Sequence, residues 1–458
     1  MPKDLRTFLS QLQDAGDRHL LEIKEALDCR HEIAAVLQLL EDERRYPAVL
    51  CHRVRNLAGE PSAFPVLTNL FADRDRLGLA LGASSRELGQ TYMERERPVP
   101  CAVVDRSAAP VKDVVRTGDD IDLFQLPALV HHEADPGGYL TAGDSWIRNP
   151  DTGEVNCAIL RLWVKDRRQL VVYFEPTRHT ALYVEKYHAA GRPAPIAITL
   201  GHHPLFYLGA QTKTMTHEPD IIGGVLGEPL EVVAPETLAP DFPVPARAEF
   251  VIEGEILPDR VKEGPFGEFL RYYGREAMSC VLNVTAVTHR RDAIFLDIFA
   301  GHRDHFLIDV PVVEGNLLRE LRRAIPSVVN VHFPASGSGR MHLYVQLKKR
   351  SDAEPRTVIA RALSAYFMVK HVIVVDEDVD IFDEEQVLWA VASHTQWDRD
   401  LVVLPRMVGI NLDPSTSGPE TTKGGIDATR KAQAGSVFPA RVAVSPAALA
   451  HVRAMKLW

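Results

Sequence analysis

The sequence predicts a multidomain α/β protein with a strand-rich barrel or sandwich in the middle. Three observations lead there. At roughly 150 residues per domain, 458 residues suggest about three domains. Helix and strand patterns alternate at both ends of the chain. From about Gly138 to Ile298, strand patterns follow one another with few helices between them.

The elements follow in order. Leu5, Phe8, Leu9 and Leu12 recur at helical spacing and Gly16 offers a stop, so a helix opens the chain. A second helix is expected over Glu32 to Glu43, with Ile33, Val36 and Leu40 on its apolar face. Tyr46–Cys51 and Ala63–Asn69 read as short buried strands, and Arg74 to Leu88 as a helix. The stretch Lys112 to Leu129, with Asp119, Asp120 and Pro127, reads as a connector. Strands are expected at Asn156–Val164, Gln169–Phe174, Pro195–Leu200, Glu249–Ile256, Cys280–Val287 and Ala293–Ile298. Alternation then returns: helix Leu317–Ile325, strand Met341–Gln346, helix Pro355–Tyr366, strand Val372–Asp376. The tail, Ser445–Trp458, fits an amphipathic helix that would lie on a partner subunit.

Composition narrows the function. An apolar fraction of 46% and a charged fraction of 25% describe a folded globular chain. Lys plus Arg is 52 and Asp plus Glu is 62, a net charge of −10, so a nucleic-acid partner is not expected. Cys29, Cys51, Cys101, Cys157 and Cys280 share no CxxC spacing, which argues against structural zinc and suits a reducing cytoplasm. The opening MPKDLRTFLS has no signal-peptide core, and runs such as His371–Val375 are too short to span a bilayer. A cytoplasmic protein is the expectation.

Two local patterns could carry chemistry. In Glu263-Gly-Pro-Phe-Gly-Glu268 a turn can bring two carboxylates to one side, and paired carboxylates in a desolvated site have their pKa values pushed apart. The same spacing also fits a solvated loop with two surface acids. Arg161 lies in the apolar strand Asn156–Arg161 and must find an anion, either a substrate carboxylate or a neighbouring acid. Strand alternation puts Asn156 and Arg161 on opposite faces, so one site could use both only with a twist or bulge. Among eighteen histidines, His131-His132, His202-His203 and His179 show no HExxH spacing. There is no dinucleotide fingerprint, GxSxG elbow or Walker loop.

Taken together, four motifs in order resemble the UbiD-type decarboxylases, which use prenylated FMN. They are Asp4–Leu9 with Gly16; Phe64–Leu70 with Arg76 and Leu79–Gly82; Glu263–Glu268; and Lys423–Thr429. The resemblance runs nearly end to end. It implies an N-terminal α/β domain (1–125), a split β-barrel flavin-binding domain (126–312) and a C-terminal α/β domain (313–458). Arg161, Glu263 and Glu268 would form the catalytic network. Asn156, His179 and Glu231 would hold Mn²⁺ or Mg²⁺ against the flavin phosphate, which suits oxygen and imidazole ligands. Cys157, Ile159, Arg178 and Lys423 would also contact the cofactor. A K⁺ site would use backbone carbonyls near Cys157 and Ala210. Arg178 could meet a second anionic group, and His302 and Arg303 fall where substrates differ.

The implied reaction is reversible decarboxylation of an aromatic, heteroaromatic or α,β-unsaturated acid. It would proceed through a covalent substrate–cofactor adduct, with Glu268 as proton donor. A flavin prenyltransferase would supply the cofactor, and a homodimer or larger homo-oligomer is expected. The competing readings are a carboxylase, an inactive flavin-binding subunit, and a metal hydrolase built on His131, His132, His202 and His203.

Overall fold

The computed structural model describes residues 2–176, 178–213, 217–431 and 437–456. Helix Leu5–Ala15 forms where expected. Asp4 caps it by accepting from the Thr7 amide at 2.9 Å, while Thr7 Oγ1 accepts from the Asp4 amide. Gly16, at φ +94°, ends it. The N-terminal sheet has the order β1 (Leu20–Asp28), β2 (Ala48–Arg55), β3 (Val66–Thr68) and then a late strand described below. Arg76, fully buried, ties this region together by donating to the carbonyls of Leu70, Asn69 and Tyr46.

The centre is a closed barrel of six antiparallel strands: β4 (Tyr139–Arg148), β5 (Val155–Val164), β6 (Gln169–Val172), β7 (Ala194–Leu200), β8 (Phe250–Glu263) and β9 (Ala277–His289). Around the ring the order is β8, β7, β4, β5, β6, β9 and back to β8, so none of the six is left as a free edge. The β4–β5 register slips between Leu140↔Leu162 and Gly143↔Leu160, so Thr141 and Ala142 together oppose Arg161. After the barrel, β10 (Phe295–Leu296) returns to pair in parallel with β3.

Beyond it, helix Val310–Ala324 leads into a five-stranded sheet of β11 (Val328–His332), β12 (His342–Leu347), β13 (His371–Asp376), β15 (Glu420–Ala428) and β14 (Leu401–Val408), in that spatial order. This sheet has its own apolar core, with Val345, Ile359, Leu363 and Val374 at its heart. Among the described residues no helix is long and apolar enough to cross a membrane.

Three details depart from the sequence expectations. β1 was not anticipated; it carries Glu22, Lys24 and Glu25, and parallel pairing with β2 makes it a strand. The helix expected over Arg74 to Leu88 stops at Leu81, because Gly82 turns left-handed at φ +62°, and a second helix starts at Leu88. The expected connector contains a strand, Val114–Thr117, laid against β9. The expected tail helix is present as Pro446–Ala454, with Ser445 at its N-cap and no buried residue; Leu457 and Trp458 lie outside the described residues.

Candidate active site

Arg161 sits near the end of β5, and its guanidinium lies between the two motif carboxylates. Nη2 donates to Glu263 Oε2 at 2.8 Å and Nη1 donates to Glu268 Oε1. After β8, Gly264 at φ +93° and Pro265 interrupt the strand, and the short strand Phe266–Gly267 carries the chain on to Glu268, so residues five apart meet one cation. The solvated-loop reading fails, because the Glu263 side chain is fully buried and that of Glu268 is 12% exposed. Tyr139, on β4, donates to Glu263 Oε1 at 2.8 Å. Both Glu263 oxygens are therefore held and its carboxylate faces Arg161. The guanidinium stacks on Tyr173, 4.1 Å from the ring centroid, with Phe266 at 5.0 Å.

Glu268 differs from Glu263. Burial pushes its carboxyl up to about 7. Arg161 and Arg340 pull it down, but one guanidinium serves two carboxylates, and the charges of Glu263 and Glu175 push it back up. A carboxyl that titrates near neutrality, at hydrogen-bond distance from a fixed cation, can deliver and recover a proton. Glu268 is carried on a small hairpin, Phe266–Gly267 against Tyr273–Gly274. Glycine is required at 267, where a Cβ would lie 2.4 Å from the His132 ring.

At the other end of β5, Asn156 Oδ1 and His179 Nδ1 are 3.2 Å apart, and Asn156 Nδ2 donates to Thr180 Oγ1. His179 opens helix His179–Ala189. Glu231 is not brought to this pair by any hydrogen bond or ion pair; its carboxylate accepts from Arg247 Nε at 2.6 Å. The acid beside Asn156 is Glu218, which heads helix Glu218–Leu226 and accepts from the Cys157 amide. Glu218 is buried, and burial pushes its carboxyl up to about 8. Among the described residues no cationic side chain lies within ion-pairing distance of it. A buried carboxyl on the Cys157 amide, one residue along β5 from the Asn156–His179 pair, adds an acid to an amide oxygen and an imidazole, donors of the kind a hard divalent ion takes.

The remaining expected residues scatter around these two centres. Ile159 lies between them on β5. Arg178 is exposed, with its guanidinium 5.0 Å from the Phe367 ring. Lys423 is buried, and its Nζ donates to the carbonyls of Leu363 and Phe367 at 3.1 and 2.8 Å. His302 donates from Nδ1 to Glu41, and Arg303 stacks on Tyr46 at 4.3 Å. His131 hydrogen-bonds Asp297, with Thr68 and Thr141 on the same carboxylate. His202 and His203 are buried, with imidazoles held down to about 3 by desolvation. They form no cluster with His131 and His132, and among the described residues no group of three His, Cys, Asp or Glu could hold a metal.

Comparison with known proteins shows the family. The Rift-related, C-terminal and N-terminal domain models of 3-octaprenyl-4-hydroxybenzoate carboxy-lyase match residues 73–303, 308–428 and 9–96. The chain belongs to the UbiD family. It is a UbiD-type carboxy-lyase with the three-domain UbiD architecture. It is 31% identical to anhydromevalonate phosphate decarboxylase from Methanothermobacter thermautotrophicus, over 93% of this chain and 96% of that one. It is 31% identical to gallate decarboxylase from Lactiplantibacillus plantarum, over 90% and 89%. The UbiD-class enzyme HmfF from Pelotomaculum thermopropionicum, solved with FMN, superposes with a TM-score of 0.91 at 36% identity, covering 99% of this chain and 100% of that one. An evolved dimeric form of HmfF is solved with prFMN.

Within this UbiD chain, two features escaped the sequence reading. Tyr139 lies in none of the four motifs, and its hydrogen bond to Glu263 marks it. Glu218 follows His217 in an unremarkable acidic stretch; the available signal was its position at the head of a short apolar helix.

Proposed function

We propose that this UbiD protein catalyses reversible, non-oxidative decarboxylation of an aromatic, heteroaromatic or α,β-unsaturated carboxylic acid with prenylated FMN. One arrangement carries the reading: a fixed guanidinium, Arg161, shared between a fully held carboxylate, Glu263, and a proton-bearing one, Glu268. Prenylated FMN, when bound, supplies the electron sink that carbon–carboxylate cleavage at an sp² carbon requires. Arg161 binds the substrate carboxylate, and Glu263, itself fixed by Tyr139, aims Arg161. Glu268 holds the proton that replaces CO₂ on the substrate carbon. Burial among Tyr139, Phe266 and Ala300 excludes water that would otherwise quench that transfer.

Asn156, His179 and Glu218 are the residues that would hold Mn²⁺ or Mg²⁺ at the cofactor phosphate. Glu218 takes the place first given to Glu231, which is paired with Arg247. A K⁺ ion at carbonyls near Cys157 and Ala210 belongs to the same proposal. So do cofactor supply by a flavin prenyltransferase and assembly as a homo-oligomer. Lys423 is left out of the cofactor contacts, because its amino group caps two carbonyls. Relatives named as gallate and phenolic acid decarboxylases support the aromatic part of the substrate class and the direction of CO₂ loss.

The test is Glu268→Gln in protein co-expressed with a flavin prenyltransferase. The variant should load flavin as the parent does. CO₂ release and solvent deuterium exchange into the product should fall by about 10²–10⁴-fold, the loss of a general acid. Near-parental exchange would overturn the assignment.

A further inference from the structure

The hairpin that carries Glu268 is attached to the rest of the protein at a point the catalytic network does not explain. Its turn holds Arg271, a non-glycine residue at φ +65°, whose amide donates to the Glu268 carbonyl at 2.8 Å. The Arg271 side chain leaves the hairpin and donates from Nη2 to Glu41 Oε1 at 2.6 Å. Glu41 belongs to the last turn of helix Glu32–Asp42, in the N-terminal domain. Its second oxygen accepts from His302 Nδ1, and the His302 ring stacks on Phe299 at 3.9 Å. A carboxylate 13% exposed thus has both oxygens committed, one to the hairpin and one to an anchored imidazole.

We propose that Arg271, Glu41 and His302 form a latch that positions Glu268, an inference that rests on Glu268 being the proton donor. The three residues touch neither Arg161 nor Glu263. They act through the backbone: the Glu268 amide donates to the Tyr272 carbonyl and the Arg271 amide closes the same turn. Fixing Arg271 therefore fixes where the Glu268 carboxyl can point. Glu41 is suited to the role. Despite its burial, the His302 hydrogen bond and Arg271 hold its carboxyl down at about 2, so it stays charged across the working range. His302 faces Glu41, Arg271 and His132, and desolvation lowers its imidazole against the pull of Glu41. The groups facing Glu268 itself are Arg161, Glu263, Glu175 and Arg340.

The test compares flavin-loaded parent, Glu41→Gln, Arg271→Met, Arg271→Lys and Glu268→Gln. Releasing the latch should leave flavin content and KM within twofold of the parent, while deuterium exchange falls roughly 10- to 100-fold, the cost of a misplaced catalytic group. The pH profile gives the readout that a merely structural contact would not move. A loosened Glu268 is more hydrated, so its carboxyl ionises more readily and the alkaline limb of exchange moves to lower pH. Arg271→Lys should recover most of the rate, and Glu41→Gln combined with Arg271→Met should be no worse than the poorer single variant. Arg271 is half exposed, so its replacement leaves the core intact. Parental exchange and an unmoved alkaline limb in Arg271→Met, alongside a dead Glu268→Gln, would overturn the latch alone. Parental exchange in Glu268→Gln would overturn the proton-donor reading instead.

Discussion

Glu268→Gln should make the protein more stable at pH 8 relative to the parent, by an amount that vanishes near pH 4.5. In the native state the Glu268 carboxyl titrates at about 7, against 4.5 when exposed. Between those values the folded chain holds a proton that the unfolded chain has released. Raising the pH through this window therefore weakens the parent, and the whole penalty is in place above pH 7. The displacement from 4.5 to about 7 corresponds to about 3 kcal/mol. Glutamine keeps the shape and carries no titrating proton, so the variant escapes the penalty. Other buried acids titrate in the same range: Asp144 and Asp304 near 7, Glu218 near 8. They act equally on parent and variant and cancel in the difference. With an unfolding entropy of about 2.1 cal/mol/K per residue, 458 residues shift by about 1 °C per kcal/mol, so the melting-temperature advantage of the variant should be about 3 °C larger at pH 8 than near pH 4.5. Thermal melts of cofactor-free protein at both pH values measure it. An advantage independent of pH would refute the argument, because Glu268 would then ionise as an ordinary surface acid.

Three further outcomes are expected. Tyr139→Phe removes a buried hydrogen bond to a charged carboxylate, so it should cost about 1.5–3 kcal/mol in thermal stability and slow CO₂ release by loosening Glu263 and Arg161. Gly267→Ala drives a Cβ to 2.4 Å from the His132 ring; exchange should collapse, and adding His132→Ala should return part of it. Glu218→Gln should abolish Mn²⁺ binding by metal analysis, whereas Glu231→Gln should retain it; the reverse would restore Glu231 as the ligand.

How much of this was readable in the sequence depends on the range of the forces involved. Helix Leu5–Ala15 was legible because its apolar spacing, Asp4 cap and Gly16 stop are all local. The convergence of Glu263 and Glu268 was legible as a possibility, since a Gly-Pro-Phe-Gly link can bring both to one side; that they share Arg161 depends on β5, about a hundred positions away. β1 was hidden because its exposed residues are charged and only the β2 ladder selects an extended backbone. The conflict between Asn156 and Arg161 was also beyond local reading. They lie toward opposite ends of β5, and the register slip opposite Arg161 sits on β4, which the strand's own pattern cannot reveal. The choice between Glu231 and Glu218 turned on the same limit. Both are acids near short elements, and only the fold ion-pairs one with Arg247 and buries the other against the Cys157 amide.

The return of β10 to β3 sets an order of events during synthesis. Thr68 and Asp297 share a hydrogen bond across 229 positions, and the Phe295 amide donates to the Pro65 carbonyl. As the chain leaves the ribosome, the first sheet stands incomplete, its apolar β3 an open edge, until the whole barrel has been translated. The last strand of the first sheet thus arrives with the last stitch of the barrel. The loop-closure entropy of that distant pairing must be met before either region is finished. A nascent chain stalled before Phe295 is expected to be a substrate for chaperones or proteases rather than a free-standing N-terminal domain.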